Sequence, residues 1–134
     1  MSKLTEIEGV GIVNAKKLLK AGVRSTDGLL KKGGTPKGRK EIAQAAGIDG
    51  KLILQWVNHV DLFRIKGVGS EFADLLEAAG VDTVVELSKR DAKKLVAVLG
   101  EVSMKQNLTN RVPGDKQVKN WIAQAKKLPR AVSY

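Results

Sequence analysis

Apolar residues recur at intervals of three and four along this chain, in short runs that glycine, proline or a hydroxyl-bearing residue interrupts. That period belongs to amphipathic helices of a few turns, and no stretch sustains the alternation of a half-buried strand. Leu4 to Ile7 suffices for a single helical turn. Ile12, Ala15, Leu18, Leu19 and Gly22 then follow helical spacing, which predicts a buried apolar face with Lys16, Lys17 and Lys20 opposite; Ala21-Gly22-Val23 ends the helix. Ser25 or Thr26 caps a short helix through Leu29 and Leu30 that stops at Gly33-Gly34. Thr35-Pro36 opens the next one, because a hydroxyl at the cap accepts an orphan N–H and a proline at the first helical position gives up no hydrogen bond. It runs to Ala46 and stops at Gly47, after which Asp49 caps a longer helix whose stripe is Leu52, Ile53, Trp56, Val57, Val60 and Phe63.

The pattern then starts again. Ile7-Glu8-Gly9-Val10-Gly11 returns as Ile65-Lys66-Gly67-Val68-Gly69, and Ala15, Leu18, Ala21-Gly22-Val23 and Leu29 return as Ala73, Leu76, Ala79-Gly80-Val81 and Leu87, at a constant offset of about 58 residues. Phe72 to Ala79 predicts one helix and Asp82 or Thr83 caps another. Asp91 opens a third that ends near Gly100, an insertion covers Ser103 to Val112, and Asp115 caps a last helix carrying Val118, Trp121, Ile122 and Ala125. Trp56 and Trp121 occupy matching places, so they read as core of each copy. The chain is expected to be all-α, with two repeats of four or five short helices over residues 1–62 and 63–134, packed as one compact unit or as two closely linked ones.

Ile7-Gly9-Val10-Gly11-Ala15 and Ile65-Gly67-Val68-Gly69-Ala73 resemble the helix-hairpin-helix motif of SAM-like folds. The repeat as a whole resembles the helical N-terminal domain of strand-exchange recombinases. It also resembles a family of small uncharacterised bacterial proteins built from two such units, on the stretch Thr35-Pro36-Lys37-Gly38-Arg39-Lys40 and the ending Ala125-Lys126-Lys127-Leu128-Pro129-Arg130. The physical sense of the motif is that two glycines permit positive φ and a close backbone approach, the valine plugs the gap between helices, and the following helix presents its first N–H groups to an anion. The resemblance implies a hold on the nucleic-acid backbone through main-chain groups, with a monovalent cation at the hairpin in some members and little base readout.

Charge adds to that picture. Lys and Arg number 24 against 14 Asp and Glu, a formal net charge of +10 that favours polyanionic partners. The two hairpins differ: Lys16 and Lys17 follow the first without an acid, although Glu6 and Glu8 precede it, whereas Glu71 and Asp74 follow the second, where they would repel a phosphate, with Arg64 and Lys66 in front as a partial offset. Lys37, Arg39 and Lys40 crowd a helix N-terminus, against the preference of the helix dipole, which marks the stretch from Thr35 as a candidate anion site.

Cysteine is absent, which excludes disulfides and thiolate metal sites. No apolar run approaches the roughly 18 residues of a membrane span and no signal-peptide core follows Met1, so a cytoplasmic location is expected. His59 is the only histidine and has no partner pattern, and no nucleophile, metal-ligand spacing or nucleotide loop is recognisable. The expectation is a non-enzymatic binder of double-stranded DNA, or of RNA, without a resident cofactor. Its contacts would be Gly9, Val10, Gly11, Lys16, Lys17, Thr35, Lys37, Arg39 and Lys40, with Gly67, Val68 and Gly69 as the second hairpin. The other reading is a protein-docking scaffold.

Overall fold

Side-chain caps set most of the helix starts in the computed structural model, which describes residues 3–7, 9–106 and 112–134. A 3-10 turn at Leu4–Glu6 precedes α1 (Gly11–Lys20), α2 (Thr26–Gly33), α3 (Pro36–Ala46), α4 (Gly50–Leu62), α5 (Ser70–Ala78), α6 (Val84–Ser88), α7 (Ala92–Gln106) and α8 (Asp115–Lys127). Among the described residues there is no strand, so the chain is all-α. The side chains of Ser25, Thr35 and Thr83 accept from the N–H groups of Gly28, Gly38 and Glu86 at 3.1, 3.1 and 3.3 Å. Asp49 and Asp91 accept from Lys51 and Lys93 at 2.8 and 2.9 Å. Each such cap contributes about 1 kcal/mol. Helices α1 and α5 also end alike: Val23 N–H donates back to the Leu18 carbonyl at 2.9 Å and Val81 N–H to that of Leu76 at 2.8 Å, wrapping a buried valine over each helix end.

Two helix boundaries differ from the pattern. Helix α7 does not stop at Gly100 but continues to Gln106, with Leu95, Leu99 and Ser103 buried along one face. An interior glycine costs about 1 kcal/mol against alanine, which the burial of that face offsets. The segment expected as an insertion therefore begins as helix, and residues 107–111 lie outside the described ones. Helix α8 is capped by Gly114 without a side-chain bond, and Asp115 is its first helical residue rather than its cap.

The chain divides into two units, residues 1–61 with 131–134 and residues 62–130. The division lies one residue from the boundary legible in the sequence, but the last four residues belong with the first unit. In that unit α3 packs against α1 and α2, and Leu18, Leu29, Ile42, Ile53, Trp56 and Val57 are buried. In the other, α8 packs against α6 and α7, and α7 against α5. Leu75, Leu76, Leu87, Leu99, Val118 and Trp121 build its core, with Phe72 tilted on Trp121 at a ring separation of 5.3 Å.

Helix α1 does not bury the face its spacing predicts. Leu18 is its buried residue, whereas Ile12 and Leu19 are 69% and 55% exposed. A ten-residue helix held by α3 and by the 3-10 turn buries only a narrow strip, and the line through Ile12 and Leu19 is left largely uncovered.

A tryptophan lies under each Gly-Val-Gly turn. A Cβ on Gly9 would sit 3.9 Å from Nε1 of Trp56, and one on Gly67 would sit 3.1 Å from Nε1 of Trp121. Both glycines hold positive φ, +86° and +98°. Gly67→Ala should therefore lower stability by about 1–3 kcal/mol, combining φ strain with a forced shift of Trp121. Gly9→Ala should lose less, because only the strain applies there; urea midpoints of the two variants check the order.

Candidate nucleic-acid interface

The first Gly-Val-Gly turn delivers the chain into α1 without a capping side chain and without an acid in the first turn. Val10 is buried as the plug, while Gly9, Gly11, Ile12 and Val13 are exposed, so the opening amides of α1 are accessible with the positive end of its dipole behind them. Gly11 holds φ +64°.

The second turn is built differently. Gly67 keeps a positive φ, but Gly69 is extended, at φ −99° and ψ −167°, so the expectation that both glycines need left-handed freedom holds only in the first copy. Val68 is buried. Helix α5 starts at Ser70 with Glu71 in its first turn, and Asp74 follows. The Gln124 side chain of α8 clamps the turn from behind, accepting from Lys66 N–H at 2.8 Å and donating to the Lys66 carbonyl at 3.1 Å. Arg64 donates to the Pro129 carbonyl. Beyond α5, Asp82 has its pKa raised by burial first, then by Glu86 and Glu77, with Arg90 acting the other way.

A raised carboxylate pKa means that the unfolded chain ionises first. Stability should fall as pH rises through the ordinary carboxylate range to the raised value of Asp82, and be flat above it. Asp82→Asn should remove this component of the pH dependence, read from urea midpoints between acid and neutral pH.

At the start of α3 the structure separates residues that the sequence groups together. The Thr35 hydroxyl is occupied as the cap. Gly38 allows a close crossing, since a Cβ there would stand 1.8 Å from the Lys32 carbonyl oxygen. Lys37 and Lys40 are exposed. Arg39 is not: it is 8% exposed, and its Nη1 and Nη2 donate to the carbonyls of Gly33 and Ser133 at 2.9 and 2.6 Å, with the Tyr134 ring 5.9 Å from Cζ. Burial lowers its pKa, Tyr134 acts to raise it, and an arginine there remains charged. The expected role of Arg39 as a phosphate contact is thus corrected to that of an internal clamp. Ser133 completes it by donating N–H to the Gly34 carbonyl at 2.8 Å.

Two further cations serve helix ends. Lys32 donates to the Ala21 carbonyl at 3.0 Å and Arg90 to that of Gly80 at 2.9 Å, where cations complement the dipole. Lys16 and Lys17 on α1 and Lys37 and Lys40 on α3 are exposed on helices that pack together, and no side-chain hydrogen bond runs from any of the four to a described residue. Trp56, Trp121 and His59 are buried.

A family model described as "Domain of unknown function (DUF4332)" matches residues 8–128. The chain belongs to that family. The match takes in both Gly-Val-Gly turns and helices α1 to α8, whereas the clamp partners Ser133 and Tyr134 lie beyond it. Searches of curated proteins and of solved structures find no match. No helix among the described residues is long and apolar enough to cross a membrane.

Arg39→Ala should lower stability by about 2–3 kcal/mol, because two carbonyls lose a charged donor in a partly dry site. Lys37→Ala, two residues away and exposed, should leave the urea midpoint within error of the parent.

Proposed function

We propose that the chain is a non-enzymatic binder of the double-stranded DNA backbone, and that its two Gly-Val-Gly turns act as helix-hairpin-helix elements of unequal strength. The observation that carries the reading is the first turn: exposed amides at the start of α1, no capping side chain and no acid in the first helical turn. Gly9 and Gly11 let a phosphate approach those amides, and Val10 holds the turn in place from within. Lys16 and Lys17 along α1 and Lys37 and Lys40 on the adjoining α3 supply charge, in a chain of net charge +10. At α3 the contribution is cationic rather than through amides, since Thr35 already caps Gly38 and Pro36 has no N–H.

The second turn is the weaker contact in this reading. Glu71 stands in the first turn of α5, where a phosphate would arrive, and Gln124 already engages the Lys66 peptide. Such binding reads charge and shape rather than bases, so it is independent of sequence and depends on salt.

With about three or four phosphates neutralised, log K for a labelled duplex should fall with log salt at a slope of about −3 to −4. Lys37→Ala with Lys40→Ala should weaken binding equally across unrelated duplexes and flatten that slope. Lys126→Ala with Lys127→Ala should do neither; equal losses from both pairs would mean that diffuse charge alone is responsible. Absence of binding at low salt would refute the proposal.

A further inference from the structure

The first unit carries a groove that the DNA reading leaves unexplained. It has a volume of about 300 Å³ and runs between the 3-10 turn and α1, over Leu4, Ile12, Ala15 and Leu19. Its charged lining residues among those described are all cationic, Lys3, Lys16 and Arg24. Ile12 and Leu19 are seven residues apart on one helix, so they stand about 10.5 Å apart along its axis, two turns on the same face. A single exposed apolar side chain is ordinary, but here two large ones are mostly uncovered and continue the apolar floor of one groove, and a contiguous apolar patch rimmed by polar residues marks an interaction site.

The second copy shows that the fold does not require them. Where α1 has Ile12, Val13, Lys16 and Leu19, and Arg24 follows, the matching places around α5 hold Ser70, Glu71, Asp74, Glu77 and Asp82. Both helices nevertheless end in the same backbone wrap over Val23 and Val81. One scaffold tolerates polar and acidic residues at those places, so the apolar and basic character of the first copy answers to a ligand rather than to packing.

We propose that this groove docks an acidic amphipathic helix of a partner protein, with apolar residues at i, i+4 and i+7 seated along Leu4, Ile12, Ala15 and Leu19, and flanking carboxylates paired with Lys3, Lys16 and Arg24. An apolar strip two turns long matches the anchor spacing of one such helix. A duplex would gain nothing from Ile12 and Leu19, and three cations, with no acid among the described lining residues, repel a basic segment and favour an acidic one over a neutral one. The proposal shares Lys16 with the duplex reading but rests on Leu19 and Arg24, which that reading does not use, and it is measured with a different probe.

The test uses the full chain and a fluorescein-labelled synthetic peptide with leucines spaced i, i+4, i+7 and glutamates on both flanks. A scrambled peptide of the same composition, vesicles containing phosphatidylglycerol and a labelled duplex serve as the other probes. The expected result is binding of the amphipathic peptide at least tenfold tighter than the scrambled one, a difference of about 1.4 kcal/mol. Ile12→Ser with Leu19→Gln, which changes no charge and touches two exposed positions, should abolish that preference while leaving the urea midpoint unchanged, and Leu19→Gln alone, away from the opening turn of α1, should weaken the peptide with duplex binding unchanged. Arg24→Ala should weaken the peptide and reduce the salt dependence of its binding. Equal affinity for both peptides, an undiminished preference in the Ile12 and Leu19 variant, or binding of vesicles with none of the peptide would overturn the proposal.

Discussion

The constraint on which both copies depend is a turn whose first glycine is held at positive φ above a tryptophan. At Gly67 a methyl group would stand 3.1 Å from the Trp121 indole, which would have to give by a few tenths of an ångström, and the φ of +98° favours glycine. Trp121 in turn is fixed by Phe72 and the surrounding apolar core, so the turn is seated on a surface that cannot yield without repacking. The buried valine between the glycines adds a second point of contact. Once turn and indole are joined, the direction in which the next helix leaves is determined, and with it the placement of that helix's first amides.

Because the geometry is set from inside, the outside has been free to diverge. The matching surfaces of the two copies differ in nearly every property a partner would sense: lysine and isoleucine on α1, carboxylates on α5, a tryptophan with more room under one turn than under the other, and a glutamine clamp at the second turn. The duplicated scaffold thus acts as its own control. A feature present in both copies serves the fold, as with the valine wraps and with Lys32 and Arg90 on helix carbonyls. A feature present in one copy alone needs another reason.

The same distinction explains what was legible in the sequence. Caps, stops and the repeat are local, each decided within a few residues, and so Ser25, Thr35, Asp49, Thr83 and Asp91 could be read with the helices they open. Arg39 could not, because the carbonyl that completes its clamp lies 94 residues further on, and nothing near it distinguishes its guanidinium from the exposed Lys37 and Lys40. Ile12 and Leu19 depart from expectation for a related reason: helical spacing identifies a face, but in a ten-residue helix packed chiefly by α3 and a single 3-10 turn it does not identify how much of that face is covered. Gly100 was taken for a stop, and only the burial of Leu99 and Ser103 on a common side shows why the helix passes through it. At the candidate site the glycines and exposed lysines were visible in advance; the division of basic residues into inner and outer ones was not.

The return of Ala131–Tyr134 to the first unit has a consequence for how the chain acquires its structure. The hydrogen bonds from Ser133 to Gly34 span 99 residues, and the whole of the second unit is synthesised between their two ends. During translation, helices α1 to α4 emerge long before the segment that closes over α3, so Arg39 waits with one of its two carbonyl acceptors absent. Closing so long a loop carries an entropic cost that shorter contacts avoid, although it grows only logarithmically with length. The first unit is therefore the first to be made, yet it can be completed only after residues 62–130 have been synthesised.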